Sequence, residues 1–423
     1  MQKSIEETIR QALEPAYFKL FLIPRANHAQ KARIQRIHAK GNVSVCFIVS
    51  SLPMWRFQRV YDTLAQDSRF KLCIAIYPFP TFSKEEQEAA MESLRTYFAG
   101  KRMPLLDLSK ETLPGDALKA QLDPDIVFYP QPYNWLYPND LDCTHFTDRL
   151  LCYIPYSIYM TEAPWVYKSF FNNIAWRLFF GSAFSKTYAC QLLYNKGHNI
   201  RVVGEPMADY FSEPPVQSVW KPQNCIKKKV IWAPHFSIID EGLHHRDSFS
   251  WLSETMWKMA EQYRDRIQFA FKPHPRLRSV LFNLPGWGEE KTQAYYKKWE
   301  EGENTQLENG PYVDLFKESD AMIHDCGSFS VEYHFTGKPA LFTTHDISKV
   351  IKNKNEVGRK GLLAHYIGGN EEDVKLFLDQ VVLGGIDPKK EERAQFQRNY
   401  LIPSDGKSVA EAIYQDIIIG LNL

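Results

Sequence analysis

Apolar and polar positions follow one another along this chain with a rhythm that changes from segment to segment. Short runs rich in β-branched and aromatic residues, VSVCFIVS (43–50), KLCIAIYP (71–78), DIVFYP (125–130) and LLCYIPY (150–156), predict buried strands. Between them, WRFQRVYDTLAQD (55–67) and KEEQEAAMESLRTYFAG (84–100) predict helices. The segment KSFFNNIAWRLFF (168–180) reads as an amphipathic helix with Phe170, Phe171, Ile174 and Leu178 on one side. SEPPVQSVWKPQN (212–224) carries three prolines and little periodicity, which marks a linker. The alternation then restarts with strands at KKVIWAP (228–234), RIQFAFKP (266–273), AMIHD (321–325) and PALFTT (339–344), and helices at 248–263, 313–319, 371–382 and 406–422.

Strands alternating with helices imply α/β units, each a parallel sheet covered on both faces. The expected organisation is a basic helical segment (1–40), an α/β unit (41–211), a linker (212–227), a second α/β unit (228–405) and a closing helix (406–423), with a cleft between the two units. A length of 423 residues, 44% of them hydrophobic, suits two cores better than one. Seven cysteines without a CxxC pair argue against a disulfide framework or a zinc cluster and favour a reducing cytoplasm. No apolar run reaches the roughly 18 residues of a membrane span, and MQKSIEETIRQALEP lacks the apolar core of a signal peptide. Net charge is only +1, yet residues 15 to 60 hold eight basic residues and no acidic one. With Tyr17, Phe18, Phe21, Leu22 and Ile23 beside them, these charges suit an anionic bilayer surface, a solvated basic helix or a nucleic-acid patch. No RNA-binding aromatic signature or helix-turn-helix pattern favours nucleic acid, so none is expected as a partner.

In an open parallel sheet, ligands collect beyond the carboxyl ends of the strands. Three such ends carry chemistry. In HDCGSFSVEYH, Asp325 precedes a turn in which Gly327 permits close backbone approach and Ser328 offers a hydroxyl and a helix start to a phosphate. Glu332, one turn further, suits ribose hydroxyls, although Ser followed by an acidic residue is also an ordinary capping box. In AFKPHPRLR (270–278), two prolines hold His274 among Lys272, Arg276 and Arg278, where an imidazolium would stabilise a departing phosphate. In VIWAPHFSIIDEGLHHRD (230–247), His235 is a candidate base, with His244 and His245 more exposed alternatives. Their spacing with Asp240 and Asp247 matches no standard ligand set, so neither metal nor cofactor is expected. A Walker loop, a GxGxxG after the first strand and a GxSxG elbow are all absent.

The succession IWAP, FKPHP, VDLFKESDAMIHDCGSFSVEYHFTGKPALF and SDGKSVAEAI (404–413) resembles the C-terminal half of the CDP-glycerol glycerophosphotransferase family, which includes teichoic acid primases and polymerases. The likeness spans about residues 200–415, including VVGEPMADYF (202–211), and the N-terminal half only in its alternating pattern. It implies a GT-B architecture, two Rossmann-like domains facing a central cleft, with the nucleotide donor on the C-terminal domain and the acceptor on the N-terminal one. By position, His274 is similar to the family's His-Pro histidine that acts on the donor pyrophosphate. Ser328 is similar to the second serine of an Asp-aromatic-Ser-Ser turn, Glu332 to the acidic residue after it, and Asp314 to that of an Asp-Leu-Phe turn near base and ribose. Two departures stand out. The turn here is Asp325-Cys326-Gly327-Ser328, one serine short. The family's N-terminal Trp-His-Gly turn is replaced by CYIPYSIYMTEAPW (152–165), which leaves Glu162, His235 or a departing phosphate oxygen to take the acceptor proton.

The resemblance implies transfer of glycerol phosphate from CDP-glycerol, or of a related polyol phosphate, to a glycan or lipid-linked acceptor, and the basic run suits a peripheral position on the inner face of the cell membrane. A GT-B glycosyltransferase using a CMP-sugar and a non-catalytic nucleotide-binding subunit of a capsule assembly complex are the alternatives.

Overall fold

The structure, a computed structural model, describes residues 13–138, 140–239, 247–403 and 405–423. Two compact units emerge: one runs to Asp209 and takes back Ile402–Leu423, and the other comprises Tyr210–Leu401 with the short strap Tyr159–Glu162.

The first unit is built on seven strands, β1 (Val43–Val49), β2 (Phe70–Ile76), β3 (Leu105–Asp107), β4 (Ile126–Tyr129), β5 (Leu150–Tyr153), β6 (Arg177–Phe180) and β7 (Ile200–Val202), in the order β3-β2-β1-β4-β5-β6-β7. All its pairings are parallel. Every residue of β1 is buried because helices cover both faces of the sheet, which is why its sequence runs apolar without alternation. Strand order reverses between β1 and β4, which makes the loops after those two strands the place where a crevice opens.

One expectation fails in this unit and another is narrowed. The segment 168–180 is not one helix: a short helix, Phe170–Ile174, capped by Ser169, gives way to strand β6. Apolar spacing alone cannot separate a short buried strand from a helix, and pairing of RLFF with both β5 and β7 decides the outcome. The basic run is neutralised in part. Arg33 and Lys40 pair with Asp125, and Arg36 with Asp123. Burial alone would raise the carboxyl of Asp125, but hydrogen bonds from Lys40 and Ser44 hold it below its ordinary value. The run forms the helix Ile23–Lys40, closed by Gly41 in the left-handed conformation, whose N–H donates to Ile37 O. A π-helical turn, Phe18–Leu22, precedes it; Pro24 lacks an N–H, and the wider turn absorbs the missing bond.

The C-terminal helix Val409–Leu421 belongs to the first unit. Asp209 accepts hydrogen bonds from the N–H groups of Val409 and Ala410, Asp416 pairs with Arg177 and Arg201, and Tyr414 donates to Asp67.

Six parallel strands form the second unit: β8 (Lys228–Ala233), β9 (Ile267–Phe271), β10 (Thr305–Leu307), β11 (Ala321–His324), β12 (Ala340–Thr343) and β13 (Tyr366–Gly368), in the order β10-β9-β8-β11-β12-β13. Alternate residues of β8 face opposite cores. Trp232 stacks with Phe249 and Phe271 on one side, while Ile231 and Ala233 join Ala270 and Met322 on the other. The proline-rich stretch 212–227 lies along this unit. Trp220 is buried and donates to Leu315 O, and the amide groups of Gln268 and Gln306 bond to the backbone of Val219 and Lys221.

Candidate active site

Register in the second sheet lines up its carboxyl ends. Trp232 pairs with Phe271 and Ala233 with His324, so the chain leaves β9, β8 and β11 at neighbouring points, through Lys272, Pro234 and Asp325. Strand order reverses between β8 and β11, the kind of edge at which open parallel sheets collect ligands.

Asp325 organises the edge from within. It is fully buried, and its two carboxylate oxygens accept from the N–H of His235 (2.6 Å), the N–H of Ser248 (2.8 Å) and the hydroxyl of Ser248 (2.8 Å). Burial lifts its carboxyl to about 7, against these hydrogen bonds, which favour the ionised form. The Cys326 thiol, also buried, donates to Ala233 O. Asp325 and Cys326 thus bind the turn to the end of β8, and Ser328 is left exposed, its hydroxyl making no capping bond. The helix that follows is one α turn, Phe329–Glu332, continued by a 3-10 turn to Thr336; Glu332 lies buried on it.

Across β8, the two histidines of the adjacent loops meet. The rings of His235 and His274 lie 4.9 Å apart, Phe236 packs on both, and the Arg276 guanidinium sits over Phe236. His274 Nδ1 accepts from the N–H of Arg276 at 3.2 Å, which leaves the ring proton on Nε2. Burial, followed by the charge of Arg276, pushes this imidazole down to about 4. At neutral pH and without a ligand it is a neutral hydrogen-bond donor rather than the imidazolium expected from its basic neighbours. Lys272 is only 9% exposed and donates to Gly310 O, so it joins β9 to the loop after β10; burial lowers its pKa. Asp314 lies in the first turn of Val313–Glu318 and pairs with Lys317 at 3.5 Å.

Glu162 is exposed on the strap Tyr159–Glu162. Asn355 holds that strap through Tyr159 O, Thr161 O and Met160 O, and caps the helix Glu356–Leu363 through the N–H of Gly358. Gly361 of that helix approaches Val331 and Ser330 so closely that an added Cβ would meet them at 3.0 and 3.1 Å. His235, His274, Asp325 and Ser328 therefore share the carboxyl edge, whereas Glu162 is one element removed from it. His244, His245 and Asp240 lie outside the described residues.

The sequence reading missed a second group of imidazoles behind the turn. His324, His334 and His365 are all fully buried; His334 stacks on His365 at 4.2 Å, and His324 meets His365 edge-on at 5.3 Å. His334 Nε2 bonds to Gly361 O and His365 Nε2 to Ser330 O. Burial pushes His324 down to about 3 and His334 to about 4, and holds His365 well below its ordinary value. The only signal was an imidazole at the end of the apolar strand AMIH.

No protein-family model and no curated protein sequence matches the chain. Solved structures do match. The wall teichoic acid polymerase TagF aligns over 100% of both chains with 12% identity and a TM-score of 0.56. A UDP-N-acetylglucosamine 2-epimerase aligns over 89% of this chain and 96% of its own with 13% identity and a TM-score of 0.59. The Neisseria meningitidis UDP-GlcNAc 2-epimerase, bound to UDP-GlcNAc, covers 89% of this chain and 100% of its own at 14% identity and a TM-score of 0.55. At such identities the likeness is one of architecture, and the two parallel-sheet α/β units of this chain have the GT-B fold.

Proposed function

We propose that this protein is a transferase that moves glycerol phosphate, or a related polyol phosphate, from a CDP-linked donor to a hydroxyl of a cell-surface glycan or its lipid-linked precursor. The observation that carries this reading is the neutral His274, its tautomer set by Arg276, beside His235 at the strand ends where the exposed Ser328 also emerges. The similarity of architecture to a teichoic acid polymerase supports the reaction class, and that to an epimerase holding UDP-GlcNAc supports a nucleotide diphosphate as the donor's common part.

In this mechanism the acceptor oxygen attacks the β-phosphorus. An O–P bond forms, the bond from that phosphorus to the bridging oxygen breaks, and CMP leaves with the electron pair. His274 Nε2–H donates to a pyrophosphate oxygen, and the Ser328 hydroxyl with the backbone N–H groups at the start of the helical turn bind the others. The acceptor's proton passes to His235, to Glu162 or to the departing phosphate. No metal is assigned to any step.

Peripheral membrane contact belongs to the same proposal, in a narrower form than the basic run suggests. Leu13, Tyr17, Leu20 and Phe21 are exposed, as are Lys19, Arg25 and Lys31, so contact with anionic lipid falls to residues 13–31. Among the described residues no helix is long and apolar enough to cross a membrane.

Incubation with CDP-glycerol, a CMP-sugar and UDP-GlcNAc in turn, with a membrane extract as acceptor, tests the function. CMP release and label transfer from CDP-glycerol alone support it. Label transfer from the CMP-sugar, or conversion of UDP-GlcNAc to its 2-epimer, replaces it.

A further inference from the structure

An exposed aromatic cluster stands on the first unit, at the other strand-order reversal. The loop after β4 presents Tyr133 and Trp135, and the helix Pro164–Tyr167, which follows β5, presents Trp165. Ring centroids are 5.1 Å apart for Tyr133 and Trp135, 5.4 Å for Tyr133 and Trp165, and 6.0 Å for the two indoles, with interplanar angles of 30°, 34° and 36°. Trp135 is 64% exposed and Trp165 is 59% exposed, a large apolar area to leave in water.

The cluster is braced from below. Tyr137 is buried between Tyr77 and Tyr129 and donates to Gln131 O; Tyr129 donates to Leu141 O and Tyr77 to Leu136 O. Val166 and Tyr167, next to Trp165, are buried. The Nε2 group of Gln131, 1% exposed and two residues past β4, has no acceptor among the described residues. Braced rings, tilted against one another and exposed beside a polar loop, match the apolar C–H face and hydroxyl rim of a sugar ring. Aromatic side chains supply such contact at little entropic cost.

We propose that Tyr133, Trp135 and Trp165 form a stacking platform for a pyranose ring of the glycan acceptor. The inference rests on the transferase reading for the role of the sugar, while the platform itself is read from the first unit alone.

Saccharide binding by the full chain is to be measured by titration with chitotriose, maltotriose and galactobiose, for wild type, Trp135→Ala, Trp165→Ala and Trp135→Phe. CDP-induced thermal shift and sedimentation with phosphatidylglycerol vesicles run in parallel. The expected result is millimolar binding of at least one saccharide, weakened about tenfold or more in each alanine variant and largely kept in Trp135→Phe, with the CDP shift unchanged. No binding of any of the three, or equal binding by wild type and alanine variants, overturns the platform. Loss of vesicle sedimentation in the alanine variants without loss of saccharide binding overturns it in favour of a lipid surface. If the saccharide result holds but CDP causes no shift, the platform stands and the donor reading falls; if CDP binds and the saccharide result fails, the reverse is true.

Discussion

Acidification tests the buried imidazoles without reference to any substrate. In the unfolded chain a histidine titrates near 6.5. In the folded second unit His324 takes a proton only at about 3 and His334 at about 4, and His365 is held well below its ordinary value, because each is fully buried. These folded values are depressed below the unfolded one, so the unfolded chain binds more protons as pH falls. The stability is therefore fully present above pH 6.5 and is lost progressively as pH falls toward the folded values. Between pH 7 and pH 5 His324 and His334 each cost about 2 kcal/mol, about 4 kcal/mol together, and His365 adds to the loss. Asp325 works in the opposite direction: its folded carboxyl, lifted to about 7, holds a proton that the unfolded chain releases down to its ordinary value of 3.8. That contributes about 2 kcal/mol in favour of the fold over the same interval. The net expectation is a loss of about 2 kcal/mol from the second unit, to which His365 and His274, both also depressed by burial, add. Amide hydrogen exchange of peptides covering β11 and β12, under conditions where exchange follows global opening of the unit, reads this directly. His365→Gln, which keeps a donor for Ser330 O, is expected to flatten the profile. Equal or greater protection at pH 5 than at pH 7 refutes the reasoning.

Other consequences follow from the site. His274→Ala is expected to lower CMP release about 100- to 1,000-fold with an unchanged circular dichroism spectrum, the usual cost of one preorganised donor; near-normal release refutes its role. Asp325→Ala strips three hydrogen bonds that join β11 to the β8 loop and Ser248, and is expected to destabilise the second unit by about 3 kcal/mol, measured by urea unfolding. Gly361→Ala drives a Cβ to within 2.9 Å of Phe396 as well as against Ser330 and Val331, with an expected cost of about 1 to 3 kcal/mol in the same assay. Replacing Leu20 and Phe21 with Ser is expected to reduce sedimentation with anionic vesicles, whereas Arg36→Gln, which removes a partner of Asp123, is not.

The architecture was legible because its central strands are buried on both faces. VSVCFIV, IVFY and AMIH announce themselves by composition, and the turns after them by glycine, proline and polar residues. The edge strands β3, β10 and β13 span three residues each, too few to show a pattern, and exist because a neighbour pairs with them. Arg33, Arg36 and Lys40 looked like a surface charge because their partners, Asp123 and Asp125, lie some 85 or more residues along the chain. At the candidate site, residue types at the strand ends pointed to His235, His274 and Ser328, but a buried aspartate and an exposed one look alike in a sequence. Only the fold shows Asp325 spending both oxygens on the backbone and on Ser248. The contact of His324, His334 and His365 likewise depends on three separate elements converging.

The central claim is that the carboxyl edge of the second sheet holds a cytidine diphosphate donor. A crystal structure with bound CDP tests it most directly. The account predicts the diphosphate within hydrogen-bonding distance of His274 Nε2, the Ser328 hydroxyl and the backbone N–H groups that follow Gly327. A nucleotide lodged elsewhere, with His274 and Ser328 untouched, contradicts it.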